Sequence, residues 1–246
     1  MKIGIFGRGK LGKAVAALAA NEKGMELSWV VDLGEAPAGP VDVALDASAA
    51  GAIGEHLAWA METGTNLVIA ATGWEDSALA PFKARLASPA AQAPIGLMVS
   101  PNFSLSVAFV RRAAVALGRF AALDEASSLG IVEHHHTAKA DAPSGTAKLL
   151  ADALAQGCPR YSGWNMGKAE SGKINVASLR IGSEVGYHEI FYETPADSIV
   201  ISHKAESRDM FAKGALAALR WMKGKKGFYR FDDLAAEMID PLFVST

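Results

Sequence analysis

Residues 2–12 read KIGIFGRGKLG, and this stretch decides the fold of the first part of the chain. Its apolar run predicts a strand at Ile3–Phe6, and its glycine loop leads directly into a predicted helix, Lys10–Ala20. In such a loop the first glycine permits a tight turn, the second lets a pyrophosphate approach the backbone, and the third allows the helix to pack closely on the strand. The unpaired amides that open the helix can bind phosphate. The spacing therefore predicts a dinucleotide site, and the alternative is a glycine turn kept only for packing.

An acidic residue and two later turns extend this predicted site. Asp32 ends the second predicted strand, twenty residues after Gly12, where a carboxylate accepts hydrogen bonds from an adenosine ribose. The turns after the fourth and fifth strands would border the nicotinamide, because ligands bind at the carboxyl ends of parallel strands. The candidate nucleotide-binding residues are Gly7, Arg8, Gly9, Lys10, Leu11, Gly12, Asp32, Ala70, Ala71, Thr72, Ser100, Pro101, Asn102 and Phe103.

Short apolar runs alternate with Ala-rich segments through the first hundred residues. Runs without polar alternation are typical of strands that are covered on both faces, so the pattern predicts a doubly wound parallel sheet of Rossmann-like α/β type. The predicted strands are Ile3–Phe6, Leu27–Val31, Val41–Leu45, Leu67–Ala71 and Ile95–Val99, and the predicted helices are Lys10–Ala20, Gly51–Glu62 and Asp76–Leu86.

The pattern changes after a predicted helix at Leu105–Leu117, and most of the chain between Ser127 and Lys204 is rich in strands. Short connections at 182–183 and 195–197 are of hairpin length, which predicts a second α+β domain with a mixed or antiparallel sheet. We expect residues 1–103 and 209–246 to form the dinucleotide-binding domain, and 104–208 the substrate-binding and oligomerisation domain. The predicted strands are Ser128–His135, Ile174–Ile181, Val185–Thr194 and Ser198–Lys204, and the helices are Gly145–Gln156, Asp209–Met222 and Asp232–Met238.

Composition excludes several classes of protein. The 246 residues carry 24 Lys and Arg against 26 Asp and Glu, a formal charge of −2, so no nucleic-acid partner is expected. The chain has no apolar run long enough for a membrane span, and a single cysteine, Cys158, fits a reduced compartment. A cytoplasmic protein is therefore expected.

The densest chemistry lies at Glu133–Thr146, which reads EHHHTAKADAPSGT. Three imidazoles and a lysine leave a strand end, and a Pro-Ser-Gly-Thr turn then opens a helix whose first amides are unpaired. A cation beside a helix amino terminus is a carboxylate site. Two alternatives remain open at this point: a metal site that needs His188 or His203 as a further ligand, and ordinary histidines beside a helix cap.

This stretch resembles the signature of the dihydrodipicolinate (4-hydroxy-tetrahydrodipicolinate) reductase family, roughly E-x-H-H-x-x-K-x-D-A-P-S-G-T-A. The likeness extends to the glycine loop, to Asp46 and to the run Ser202–Arg208. It implies reduction of 4-hydroxy-tetrahydrodipicolinate by NAD(P)H in lysine and diaminopimelate biosynthesis, by a cytoplasmic homotetramer without a resident metal. The implied site residues are His135 as proton donor or its organiser, Lys139 as the second catalytic cation, and His136, Ser144, Gly145 and Thr146 as contacts of a small dicarboxylate substrate.

Two departures from the family pattern bear on the cofactor. Leu33 stands where some members carry an arginine, and Ala71 stands where a threonine is common. Asp32 would repel the 2′-phosphate of NADPH, and only Arg8 or Lys10 could offset it, so NADH is expected to be preferred with some NADPH activity remaining. The rival functions are another NAD(P)-dependent imino- or amino-acid reductase of the same plan, a catalytically silent NAD(P)-binding regulator, and a zinc hydrolase.

Overall fold

The computed structural model describes residues 1–74, 76–86 and 95–243. Its contacts divide these residues into two units. The first unit contains Met1–Ser104 and Asp209–Met238, and the second contains Leu105–Arg208 with the described residues from Ile239 onward. None of the described helices is long and apolar enough to cross a membrane.

Eleven strands and seven α-helices are present in the described residues. The strands are β1 (Lys2–Phe6), β2 (Glu26–Val31), β3 (Val43–Asp46), β4 (Asn66–Ile69), β5 (Gly96–Val99), β6 (Ser128–His135), β7 (Trp164–Met166), β8 (Ile174–Arg180), β9 (Tyr187–Glu193), β10 (Ser198–Lys204) and β11 (Gly227–Arg230). The helices are α1 (Lys10–Ala19), α2 (Ile53–Thr63), α3 (Ala80–Leu86), α4 (Leu105–Ala121), α5 (Gly145–Gly157), α6 (Asp209–Met222) and α7 (Phe231–Ile239).

The first unit is built on a six-stranded parallel sheet of order β11-β5-β4-β3-β1-β2. Strands β3 and β4 are buried along their whole length, as their unbroken apolar runs predict. Gly4 in β1 is required by packing, since a Cβ there would lie 2.2 Å from the Trp29 ring. Because all strands are parallel, the turns after β1, β3, β4 and β5 meet at one edge of the sheet.

The second unit has a mixed five-stranded sheet of order β10-β9-β6-β8-β7. Helices α4 and α5 pack on one face of it around a core that includes Ile131, Leu150 and Ile190. The predicted fold class is therefore confirmed: a Rossmann-like α/β unit and a second unit with a mixed sheet.

One predicted connection is wrong. The short link at 182–183 suggested that β8 and β9 form a hairpin, but β6 lies between them, parallel to β8 and antiparallel to β9. The link instead crosses the carboxyl end of β6, where the backbone N–H groups of Ile181 and His136 donate to the carbonyls of His135 and Glu184. Sequence spacing cannot distinguish a hairpin from a short crossover of this kind. The pair β9–β10 is a true hairpin.

The carboxyl end also departs from expectation. Residues from Ile239 onward group with the second unit, although the whole of 209–246 was expected in the first. Arg112 on α4 forms an ion pair with Asp240, and Phe109 lies against Phe243 with ring centroids 5.4 Å apart. Two short strands, β7 and β11, were not predicted, because three or four residues carry too little periodicity.

Candidate active site

A buried carboxylate lies at the centre of the polar residues of the second unit. Glu133, near the end of β6, is fully buried. Its Oε1 accepts a hydrogen bond from Arg180 Nη2 at 2.8 Å and from the Ser144 backbone N–H at 3.3 Å, and its Oε2 is hydrogen-bonded to His135 Nδ1. Burial opposes ionisation, but the hydrogen bonds from Arg180 and His135 outweigh it and lower the pKa of Glu133 from 4.5 to about 2. The carboxylate is therefore an anion at neutral pH.

The imidazole of His135 responds to this anion and to its own burial. Burial lowers the pKa of His135, and the nearby charges of Lys139 and Arg180 lower it further, while the hydrogen bond to Glu133 acts in the opposite direction. The ring packs edge-on against His188, with centroids 5.2 Å apart. The net effect is a lowered pKa for His135, and the hydrogen bond to Glu133 limits the decrease. A histidine whose pKa is shifted by burial and by specific charged neighbours is a candidate for acid–base chemistry.

Lys139 lies on the loop after β6 and is already paired. Its Nζ is 2.6 Å from Asp141 Oδ1, and this ammonium lowers the pKa of the Asp141 carboxyl. The Asp141 carbonyl in turn accepts a hydrogen bond from Arg180 Nη2 at 2.5 Å. The same guanidinium therefore holds both Glu133 and the loop that carries Lys139.

The start of α5 supplies open backbone, but Ser144 does not. Ser144 caps the helix through its hydroxyl, which accepts from the Ala147 N–H at 3.1 Å and also contacts His188 Nε2 at 3.1 Å. Its own N–H donates to Glu133 and is therefore already engaged, and binding of a substrate carboxylate by the Ser144 amide stays a prediction. At Gly145, by contrast, a Cβ would meet no atom within 4 Å, and Thr146 follows it in the first turn. His136 is half-buried after the strand end, where its N–H donates to the Glu184 carbonyl at 2.8 Å.

The metal alternative is only partly supported by the geometry. Ligand atoms of Glu133, His135 and His188 lie within 4.8 Å of one another. His203, however, bonds to Ser106 Oγ at 3.0 Å instead of joining them. The guanidinium of Arg180 contacts the same carboxylate that a cation would need, and two like charges there would repel. The arrangement favours a proton-carrying histidine over a metal ligand.

In the first unit, the glycine loop has the features that a phosphate chain needs. Gly7 has a φ of +98°, and Gly12 approaches so closely that a Cβ would lie 2.0 Å from the Gly7 carbonyl oxygen. Gly9 caps α1 without any side-chain hydrogen bond, and a Cβ there would meet its nearest atom only at 4.0 Å. Bare backbone above an uncapped helix start fits a pyrophosphate, so the residues present suit a dinucleotide.

Beside Asp32 lies a second acid, Glu35, which the sequence analysis does not single out. Arg8 Nη1 bonds to Glu35 Oε1 at 2.7 Å, and its Nη2 donates to the Val30 carbonyl at 2.9 Å. Glu35 Oε2 also accepts from the Asp32 N–H at 3.0 Å. Arg8 is therefore held beside the end of β2 by a second carboxylate next to Asp32.

Hydrogen bonds within the protein already engage several groups of the turns after β4 and β5. The N–H groups of Ala70 and Ala71 both donate to the Asp46 carbonyl, at 2.8 and 3.2 Å. Ser100 Oγ donates to the Asn102 carbonyl at 2.6 Å, and the Phe103 side chain is buried against Phe231, with centroids 5.1 Å apart. Phe103 as a whole is therefore enclosed, whereas the other predicted residues here, Thr72 and Pro101, are exposed.

Two family models together match most of the chain. The family model described as dihydrodipicolinate reductase, N-terminus, matches residues 31–103, and the model for its C-terminus matches residues 103–235. The chain belongs to the dihydrodipicolinate reductase family. It is thus an oxidoreductase of a pyridine-nucleotide-dependent family, as the sequence motifs predict.

Individual relatives match over almost the whole chain. The 4-hydroxy-tetrahydrodipicolinate reductase of Zymomonas mobilis is 34% identical over 95% of this chain and 96% of its own. That of Anaeromyxobacter dehalogenans is 34% identical over 91% of this chain and 83% of its own. Among solved structures, a dipicolinate-bound dihydrodipicolinate reductase from Paenisporosarcina sp. TG-14 superposes with a TM-score of 0.75 at 22% identity, covering 95% of this chain and 99% of that one. This last match shows the shared fold.

The sequence analysis assigns no role to three residues that hold the candidate site residues in place, namely Glu35, Glu133 and Arg180. It treats His188 only as a possible metal ligand. Glu133 opens the signature motif, so its position was visible. Arg180 and His188 are register neighbours of His135 and Glu133 on β8 and β9. Such neighbours become identifiable only when the pairing of the strands is known.

Proposed function

We propose that this chain reduces 4-hydroxy-tetrahydrodipicolinate to tetrahydrodipicolinate with NADH or NADPH, in lysine and diaminopimelate biosynthesis. The observation that carries the proposal is the buried Glu133–His135 pair, which shares one guanidinium with the loop of Lys139. The printed names of the family models and the relatives support the substrate, and so does the dipicolinate in the bound structural neighbour.

The reaction requires a hydride and a proton at separate stages. Loss of water from the 4-hydroxy substrate leaves a cyclic conjugated imine with two carboxylates. The nicotinamide, when bound, supplies a hydride to a ring carbon, and the displaced electron pair moves to the ring nitrogen, which leaves the enamine as its nitrogen anion. His135 then gives a proton to the enamine carbon, which regenerates the imine of the product.

The substrate carboxylates need cations and donors that are not already committed. Gly145 and Thr146 begin α5, and a Cβ at Gly145 would meet no atom within 4 Å, so this helix start suits one carboxylate. Lys139 supplies a positive charge for this carboxylate, which either replaces Asp141 as the partner of the ammonium or binds to it together with Asp141. His136 lies at the start of the same loop and adds an imidazole contact.

The first unit would bind the nucleotide through the glycine loop, Asp32 and the turns after β4 and β5. Asp32 and Glu35 place two carboxylates beside the ribose end, while Arg8 is engaged by Glu35 and the Val30 carbonyl. These two carboxylates would repel the 2′-phosphate of NADPH. NADH is therefore the preferred cofactor, with NADPH accepted less well.

We also propose that the open face of the mixed sheet binds a second copy of the chain, giving the homotetramer that the family resemblance implies. Helices α4 and α5 cover the face that carries Ile131, and alternation directs Val132 and its neighbours to the other face. There Val200 pairs with Phe191 across β9–β10, and Val200 and Leu179 remain 50% and 45% exposed.

Light scattering tests this assembly. It should give the mass of a tetramer, and Val200→Asp should reduce the fraction of tetramer. A monomer at micromolar concentration would contradict this assembly.

The proposed reaction is tested by NADH oxidation. The substrate is generated in the cuvette from aspartate semialdehyde and pyruvate by a coupling enzyme, and loss of NADH absorbance is followed. Turnover should depend on both the coupling enzyme and this chain, and pyridine-2,6-dicarboxylate should inhibit in competition with the substrate. Absence of turnover with either nucleotide, or indifference to millimolar pyridine-2,6-dicarboxylate, would reject the assignment.

A further inference from the structure

The two ring nitrogens of His135 have different surroundings. Nδ1 is hydrogen-bonded to Glu133 Oε2. Nε2 lies beside Gly186, where a Cβ would come within 3.0 Å of it. Every other residue would place a carbon at this distance from Nε2, so only glycine leaves this space beside the nitrogen unfilled.

Glu133 is itself held in one orientation from two sides. Arg180 Nη2 bonds to its Oε1, and the Ser144 N–H donates to the same oxygen. These bonds leave Oε2 for His135. Arg180 is fixed in turn by the carbonyls of Asp141 and Leu179, at 2.5 and 3.0 Å. The carboxylate cannot rotate away without losing its ion pair with Arg180, which would leave the buried charge of Glu133 without that partner and is costly.

We infer that Glu133, oriented by Arg180, is a positioning residue that keeps the Nδ1–H of His135 directed at its own carboxylate and so makes Nε2, beside Gly186, the atom that delivers the proton. This inference rests on the proposed function. The imidazolium loses its Nε2 proton to the enamine carbon, and the neutral ring remains with its Nδ1–H donating to Glu133. No proton passes to Glu133, which stays ionised throughout.

Charged and titratable groups face His135 from every element packed against it: Glu133 from β6, Lys139 from the following loop, Arg180 from β8 and His188 from β9. Glu133 is the one anion among them. Its removal leaves the imidazolium facing two cations in a buried site. Glu133→Gln should therefore lower the pKa of His135 by about one unit or more.

The experiment is a ¹⁵N NMR titration of the His135 ring in the full-length protein, without substrate or nucleotide. The neutral wild-type ring should be the Nδ1–H tautomer, and Glu133→Gln should move its midpoint to lower pH. The matched control is Glu170→Gln, the same change in the exposed loop that precedes β8. It should leave the tautomer and the midpoint of His135 unchanged. A neutral ring protonated on Nε2 in the wild type would overturn the inference even if the variant fails to fold.

Kinetics give the second readout. Glu133→Gln should reduce kcat about 10- to 100-fold, the scale on which outer partners of an oriented imidazole act, with KM for the substrate little changed. The high-pH limb of the kcat profile should shift to lower pH, which a merely structural role would not produce. Gly186→Ala should reduce kcat by a similar factor while nucleotide affinity is kept. An inactive wild type with the expected NMR behaviour would reject the proposed function alone, whereas an active enzyme without the pH shift would reject this inference alone.

Discussion

The two units differ in the groups that they offer to a ligand. In the first, the glycine loop offers bare backbone, and its charged pair, Arg8 with Glu35, is 44% and 46% exposed. In the second, Glu133 is fully buried and both of its carboxylate oxygens are hydrogen-bonded. A phosphate chain needs amide donors and close approach, which side chains would obstruct. A proton donor needs one fixed orientation and a tuned pKa, which burial and hydrogen bonds supply.

This difference predicts that single substitutions have unequal effects in the two units. In the second unit, changes should alter turnover and acid stability strongly because they disturb buried charge. In the first, changes should move affinity by modest factors because solvent screens exposed charges.

The largest effect is expected at the proton donor. His135→Ala and Lys139→Ala should each lower turnover by about 10²–10⁴, the usual range of acid–base catalysis. Nucleotide affinity, measured by fluorescence titration, should stay within about twofold of wild type, since it depends on the other unit. A His135→Ala, Lys139→Ala double variant that keeps more than a tenth of wild-type turnover would show that these residues do not carry the chemistry.

The next largest effect is expected in the stability of the protein at acid pH, which depends on the buried groups Glu133 and His188. Burial lowers the pKa of His188 from 6.5 to about 4, so the unfolded chain binds this proton more tightly and stability falls as pH drops from about 6.5 to 4. The pKa of Glu133 is lowered from 4.5 to about 2, so its contribution is present above about pH 4.5 and is lost toward pH 2. Each pKa difference corresponds to a loss in the free energy of unfolding on the order of 3 kcal/mol as the pH falls through its range.

Urea unfolding across this pH range measures that loss. His188→Gln should flatten the free energy of unfolding between pH 6.5 and 4, and Glu133→Gln should flatten it below pH 4.5. Glu170→Gln is the control and should keep the wild-type slope. A wild-type free energy of unfolding that does not change between pH 6.5 and 4 would refute the lowered pKa of His188.

Gly145→Ala tests the open helix start. No atom lies within 4 Å of the added Cβ, so folded stability should not fall, but the methyl group would intrude on a carboxylate bound there. Inhibition by pyridine-2,6-dicarboxylate should weaken about tenfold, or about 1.4 kcal/mol. Gly54→Ala in α2 is the matched control, because its Cβ also meets nothing within 4 Å. Equal inhibition of both variants would place the carboxylate elsewhere.

The smallest effect concerns the nucleotide. NADH should be preferred over NADPH by about tenfold in kcat/KM, and Asp32→Ala should shift the ratio toward NADPH. Glu35→Gln should release Arg8 and tighten NADPH binding by a few fold, a scale typical of exposed pairs. Glu26→Gln, at the other end of β2, is the control. Equal or better efficiency of the wild type with NADPH would mean that Arg8 leaves Glu35 for the phosphate.

Much of the fold was predictable because its strands and helices follow from patterns of neighbouring residues. The strands Ser128–His135 and Ser198–Lys204 and the helix Asp209–Met222 occur with the predicted bounds. Buried parallel strands read as continuous apolar runs, and both glycine spacing and hydrophobic periodicity are properties of neighbouring residues. The nearby link at 182–183 was misjudged because a hairpin and a crossover share the same local sequence.

The sequence by itself determined the fold class, the glycine loop and the signature segment that carries His135, Lys139 and Gly145. Each of these depends on residues within one short stretch of chain. Only the tertiary structure decided the partners: Arg180 on Glu133, Glu35 on Arg8, and Ser144 turned inward to support His188. Those contacts join residues 27 to 47 positions apart, and they follow from strand register and burial, which no local pattern encodes.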